Sequence, residues 1–365
     1  MKIAEITNHL ESLAPPALQE DYDNAGLLTG QAGWECTGIL CALDTTEAVV
    51  EEAISLNCNL IVAHHPIIFR GLKKINGKNY VEKTIINAIK NDIAVYAIHT
   101  NLDNIISGVN HKIADKLGLQ NQEILLPKEN TLMKLYTFVP GKYAEKVRIA
   151  MFAAGAGSIG NYSECSFNTE GKGTFKAGEN TNPFVGEKNI RHEENEIKLE
   201  VIFPFYLKNK ILAALLQAHP YEEVAYDVIA LANAYQNTGS GLTGLLPQQI
   251  TETGFMDLLK KTFNLTVIRH TQLLQKPVKK VAICGGAGSF LISKAINAGV
   301  DFYITADVKY HEFFDADGKM VIADIGHWES EQFTIELLYD ILQAKFPNFA
   351  VLKTKKVTNA VHYFV

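Results

Sequence analysis

Imidazoles and carboxylates recur at three places in this 365-residue chain. NLIVAHHPIIF carries adjacent His64 and His65, VYAIHTNLDN carries His99 and Asp103, and IADIGHWESEQ carries His327 and Glu331. Each set follows an apolar run that reads as a strand, so each lies just past a strand's end. In open α/β sheets, ligands gather at the carboxyl ends of strands, where loops from separate strands meet. The three sets are therefore expected to converge although they are far apart in sequence. His327 and Glu331 are four residues apart, which puts them on one helical face and lets them grip one cation. His64 and His65 cannot face the same way along a regular strand, but at a strand end they can point to two ions, one each. Asp103 could then bridge the pair with its two oxygens. Two ions about 3.5–4 Å apart make a site of the kind that activates water. Imidazole and carboxylate without thiolate suit zinc, iron(II) or manganese better than copper(I).

A lone histidine after a strand is usually structural, so the remaining candidates are weaker. His99 either orients a ligand from behind or simply packs. DYDNAGLLTG (21–30) offers Asp23, Asn24 and Gly26 and reads first as a turn, with Asn24 as a pocket candidate. CGGAGSF (284–290) could turn backbone amides toward a phosphate, but Leu291 breaks the full glycine pattern and a tight turn accounts for it equally. ITADVKYHEFFDA places Asp307 and His311 four apart after another strand, as a pocket wall or an ordinary helix start. His99 and His311 are the two candidate proton carriers. His219 in HPYEEVAYD reads as structural or interfacial. Patterns for a serine nucleophile elbow, an H-E-x-x-H zinc helix or a P-loop do not occur.

The elements that must position these side chains follow from periodicity. Ile3, Ile6, Leu10 and Leu13 recur at helical spacing before Pro15-Pro16. Strands 38–44, 59–65 and 93–103, the last running into a loop, then alternate with helices 45–56, 81–92 and 108–119. Continuous apolar strands separated by helices imply a mostly parallel sheet covered on both faces. From about residue 128 the texture changes: strand 135–140, helix 143–157, a glycine-rich hairpin 163–178, strand 196–204, helix 209–219 and strand 224–231. That order is the ferredoxin-like pattern. A loop rich in Gly, Ser and Asn (233–244) ends it. Strands 278–286, 301–307 and 320–327, with helices 288–299 and 329–346 and an edge strand 349–355, then resume the first texture. The expected organisation is an α/β core of residues 1–127 and 245–365, interrupted by a ferredoxin-like α+β domain at 128–244.

Composition bounds the class. The chain is 47% apolar and 20% charged, which is ordinary globular usage and excludes a mainly disordered chain. The formal charge of -6 weighs against nucleic acid as the partner. Five cysteines without a CxxC pair argue against a disulfide framework or a thiolate zinc site, and for a reducing compartment. The start lacks a continuous apolar signal region, and no stretch of 18 apolar residues occurs, so a cytoplasmic protein without a membrane partner is expected.

The stretches DNAGLLTG, IVAHHPIIF, IHTNLDN, GGAGSF, TADVKYHE and IGHWESE, in that order, make the chain resemble the NIF-three-like family, also known as the GTP cyclohydrolase I type 2 family. AHPYEEVAYD, with NYSECSF and GTF before it, resembles the PII/CutA-like insert of the longer bacterial members. The resemblance spans nearly the whole chain. It implies two divalent ions per subunit, with ligand positions at His64, His65, Asp103, His327 and Glu331. It also implies a toroidal homohexamer whose sites face an internal cavity and whose inserts cap the ring. Ala306 stands where many members have glycine, next to the pocket candidate Asp307. Activity as a metal-dependent hydrolase on a nucleotide or related small molecule is the expectation. The alternatives are a non-enzymatic hexameric scaffold that binds a protein or nucleic-acid partner, and a metal store.

Overall fold

The computed structural model describes residues 1–364. The chain forms two compact units: Met1–Leu126 together with the chain from Thr238 onward, and Pro127–Asn237. The strands, in chain order, are β1 (Gly26–Thr29), β2 (Ile39–Ala42), β3 (Leu60–Ala63), β4 (Ala94–Ala97), β5 (Gln120–Lys128), β6 (Leu132–Pro140), β7 (Ser166–Lys176), β8 (Arg191–Pro204), β9 (Tyr226–Leu231), β10 (Tyr235–Ile250), β11 (Arg269–His270), β12 (Val278–Ala287), β13 (Phe302–Ala306), β14 (Val321–Asp324) and β15 (Val351–Lys353).

The larger unit holds two sheets. The first runs β1-β4-β3-β2-β15, with β15, β2, β3 and β4 parallel and β1 antiparallel at the edge. The second runs β11-β14-β13-β12-β10-β5, with β12, β13 and β14 parallel and β10 and β11 added antiparallel. The sheets exchange elements: β15, from the chain's end, completes the first, and β5, from its first half, completes the second. Every residue of β2, β3, β4, β13 and β14 is buried, as strands covered on both faces require. Alternation divides them cleanly. Ile39, Cys41, Leu60, Val62 and Tyr96 join Val281, Ile283, Phe302, Ile304 and Val321 in one core between the sheets. Leu40, Ala42, Ile61, Ala63 and Val95 face the other way onto helices Glu47–Ser55 and Tyr80–Lys90. Both helices open on side-chain caps: Thr46 accepts from the Val49 N–H and Asn79 from the Glu82 N–H, satisfying amides that have no helical partner.

The smaller unit is an antiparallel sheet in the order β7-β8-β6-β9. Helices Ala144–Ala153 and Lys208–Ala218 cover one face, packing Val147, Met151, Ile211 and Leu215 on Leu135, Val139, Leu199, Val201 and Phe203. Two βαβ halves in this order are the ferredoxin-like plait. The mixed α/β core with an inserted α+β plait is thus the fold expected from the sequence.

Local expectations fail where the glycine content misleads. Residues 163–178 are not a self-contained hairpin. Ser166–Lys176 is one strand paired along its length with β8, and the turn comes later. Residues 233–244 belong largely to β10, whose Leu242–Leu245 segment pairs with β12, so sheet pairing overrides weak local propensity. The HTNLD segment is not a loop but closes into the single helical turn Thr100–Asp103. No helix among the described residues is long and apolar enough to cross a membrane. All five cysteines are free.

Candidate metal centre

The carboxyl ends of both parallel strand sets meet at one place. From the first sheet, Asp44 follows β2, His64 and His65 follow β3, and His99 follows β4. From the second, Gly286 is the last residue but one of β12, Asp307 follows β13 and His327 follows β14. The imidazoles of His64 and His65 lie 5.0 Å apart between centroids, His99 lies 5.2 Å from His64 and 5.4 Å from His65, and His327 lies 5.3 Å from His65.

Each of these four rings is engaged through Nδ1 from behind. His64 Nδ1–H donates to the Ile98 carbonyl at 2.9 Å. His65 Nδ1 meets Asp44 Oδ1 at 2.7 Å, His99 Nδ1 meets Asp23 Oδ1 at 2.8 Å, and His327 Nδ1 meets Asp307 Oδ2 at 2.6 Å. The backing carboxylates are themselves held: Asp23 accepts from the Thr100 N–H at 3.0 Å, and Asp44 accepts from the Thr358 hydroxyl. Acceptors behind Nδ1 fix the tautomer and leave Nε2 as the donor atom for a ligand, the arrangement that orients histidines around metal ions.

The inward face is made of imidazole Nε2 atoms and carboxylate oxygens. His64 Nε2 and Asp103 Oδ1 are buried, lack hydrogen-bond partners and stand 3.6 Å apart, too far for a hydrogen bond between them. Glu331 shows Oε1 to His64 Nε2 at 3.9 Å and Oε2 to His65 Nε2 at 2.9 Å and His327 Nε2 at 3.2 Å. Glu331 therefore faces both sides of the cluster. Two groups could each hold a metal ion, His64 with His65 and His99, and His65 with His327 and Glu331; within each the donor atoms lie within 4.8 Å of one another. A cation between these lone pairs would relieve the unpaired nitrogen and oxygen, so the donor set fits a metal.

The protonation states follow from the same contacts. Burial drives the His64 pKa down to about 3, so this ring is neutral and its Nε2 lone pair free. Burial also opposes charge on His65, but Asp44 and Glu331 overcome it and raise it to about 9. His327 is likewise raised, against burial, to about 11 by Asp307 and Glu331. Burial would raise Glu331, yet hydrogen bonds from His327 and His65 hold it well below the usual carboxylate range. Burial and the nearby Glu331 charge push Asp103 well above that range.

The Duf34/NIF3 (NGG1p interacting factor 3) family profile matches residues 1–360. The chain belongs to this family. A Halalkalibacterium halodurans protein named GTP cyclohydrolase 1 type 2 homolog is 43% identical over 333 residues, 90% of this chain and 89% of its own. A Staphylococcus epidermidis protein of the same name is 38% identical over 348 residues, 94% of this chain and 93% of its own. Among solved structures, a Bacillus cereus protein related to NIF3 superposes with a TM-score of 0.87 at 38% identity, covering 100% of this chain and 99% of that one. The resemblance carried by the motifs is thus a family relationship.

In this Duf34/NIF3 chain, the structure brings His64, His65, Asp103, His327 and Glu331 together and adds His99 beside them. Asp307 is in contact with the cluster through His327. Asn24 is not drawn in: its amide donates to the Ile68 carbonyl at 2.6 Å. His311 is exposed on the turn Tyr310–Ala316, where its ring meets Tyr310 and Phe314 rather than the four imidazoles. GGAGSF has a local task. Gly286 has φ +64°, and a side chain there would collide with the Glu331 carboxylate, so the glycine makes room for it. Asp44 and Asp23 were not singled out as partners of the histidines. For Asp44, the available signal was its place two residues past a strand that neighbours the His64-His65 strand.

Proposed function

We propose that this Duf34/NIF3 chain is a dinuclear metal-dependent hydrolase acting on a nucleotide or related small molecule. The observation that carries the reading is the common posture of His64, His65, His99 and His327, each engaged at Nδ1 and turned inward at Nε2. His64, His65, Asp103, His327 and Glu331 are the proposed ligands, for zinc, iron(II) or manganese. When bound, paired divalent ions supply Lewis acidity, which makes water nucleophilic near neutral pH and offsets negative charge building on a substrate. Asp44 and Asp307 keep His65 and His327 in register for this task. His99, whose Nδ1 meets Asp23, is the proposed proton carrier, acting at Nε2. The name GTP cyclohydrolase 1 type 2 homolog, carried by relatives, supports a purine nucleotide as substrate; in a reaction of that type the atom attacked would be C8 of the purine.

The test is turnover of a nucleotide panel that includes GTP, by metal-loaded protein and by His64→Ala and Glu331→Ala. The expected result is turnover by the parent and loss of roughly a hundredfold or more in both variants. Equal rates in all three would end the hydrolase reading for those substrates. Elemental analysis tests the proposed two ions per subunit, and sedimentation tests the proposed ring of six.

A further inference from the structure

The inserted plait contains a cavity of about 610 Å³ that shares no residue with the metal centre. Helices cover the sheet face that bears Leu199 and Val201. Alternation therefore puts Glu196 and Lys198 of β8 on the opposite face, with Gly171 and Thr169 of β7 directly across. The cavity lies against that face, beneath segments carrying Phe184 and Tyr221. Its volume is that of a small-molecule site.

Its lining joins one buried charge to aromatic walls. Glu196 is 9% exposed. Its Oε1 accepts a hydrogen bond from the Tyr221 hydroxyl at 2.8 Å, and it has no cationic partner among the described residues. Three lysines also line the cavity: Lys172 pairs with Glu193 at 2.6 Å, Lys198 pairs with Glu200 at 2.5 Å, and Lys176 is exposed. The Tyr221 ring stands 6.3 Å from Phe175 and 6.1 Å from Phe184, so a cluster of three aromatic rings lines the space. A buried carboxylate without a counter-charge is unfavourable, and aromatic faces attract cations.

Two glycines create the room. Gly171 and Gly173 lie inside β7, where glycine weakens a strand and often marks the close approach of a ligand. Neither has positive φ, so the backbone does not demand glycine there. A side chain at Gly173 would collide with the Glu196 carboxylate, whereas one at Gly171 would meet nothing within 4 Å and project into open space.

We propose that this cavity binds an organic cation, an ammonium group on an apolar stem, with the charge on Glu196 and the stem among Phe175, Phe184 and Tyr221. A free amine and a lysine side chain of a polypeptide share this chemistry. Isothermal titration of the full chain with n-hexylammonium, Nα-acetyl-lysine amide, hexan-1-ol and hexanoate tests it. At least one ammonium probe binds, and the alcohol and carboxylate bind roughly tenfold or more weakly, as expected for a charge-assisted contact. Tighter binding of hexylammonium identifies a free amine as the source, and tighter binding of the lysine amide a polypeptide; both uphold the site. Glu196→Gln keeps an acceptor for Tyr221 and weakens the ammonium probe about tenfold. Gly171→Val fills the space and abolishes binding, while its β-branched side chain leaves the melting temperature unchanged or higher. Alcohol binding as tight as the amine, undiminished binding to Gly171→Val, or no binding of either ammonium probe to the parent would each overturn the proposal.

Discussion

Glu331 and Glu196 are both nearly buried, at 3% and 9% exposure, and each lies beside a glycine whose missing side chain leaves it space. Their neighbours differ. His65 and His327 stand 2.9 and 3.2 Å from Glu331, and their hydrogen bonds hold its carboxyl low despite burial. Glu196 has a single phenol at 2.8 Å and aromatic faces around it. The first setting gathers directional lone pairs at one point, which suits a small ion with a fixed set of ligands. The second sets a buried carboxylate beside aromatic rings, which suits a larger cation held by area as well as charge. The carboxylate alone does not choose its ligand; the groups within a few ångströms of it do.

The sharpest way to break this contrast is Glu331→Ala. It removes a carboxylate that faces both His64 and His327, and metal affinity is expected to fall by more than about a hundredfold. Amine binding in the insert should persist. Elemental analysis after dialysis reads the first, titration the second, and retention of metal at the parent ratio would count against the assignment. Next come Asp44→Asn and Asp307→Asn, which leave every proposed ligand in place but alter what holds His65 and His327. Metal affinity should drop roughly 10- to 100-fold in each, measured by competition with a chelator.

The pH response should separate the regions further. In the metal-free protein His65 and His327 titrate at about 9 and about 11 instead of 6.5. Raised values mean that their contribution to stability is complete below pH 6.5 and disappears as pH climbs through about 9 and about 11. A metal must displace those protons, so its affinity should rise from about pH 6 to about pH 8 and loading should release protons into the buffer. A flat affinity with no proton release would contradict the assigned states.

Smaller effects belong to the insert. Gly171→Val should shift stability by within about 1 kcal/mol, toward a higher melting temperature, with metal content unchanged. Lys172→Ala breaks an exposed pair with Glu193, its partners 63% and 56% exposed, and should alter stability by less than ~1 kcal/mol in thermal melts.

Legibility followed the range of the interactions. The parallel strands announced themselves as apolar runs because both their faces are covered. The helix pair His327 and Glu331 was readable because four residues make about one turn. β10 was hidden because Gly239, Ser240 and Gly241 carry no strand signal of their own; hydrogen bonds from Gly239 and Ser240 to Asn104, and the pairing of Leu242–Leu245 with β12, supply the order. The pairing of Asp23 with His99 was hidden because the two lie 76 residues apart. Nothing near Gly171 announces that Glu196 will lie opposite it.

By itself the sequence determined which chemical groups were available and that they stood at strand ends: HH after one strand, HxxxE after another, and a plait inserted between. Only the tertiary structure decided which carboxylate faces both sides of the histidine cluster, which acids stand behind the rings, and where glycines open space beside a buried charge. The physical reason is distance. Periodicity encodes neighbours within a turn or a strand, whereas a site is made of atoms a few ångströms apart that belong to residues tens to hundreds of positions apart.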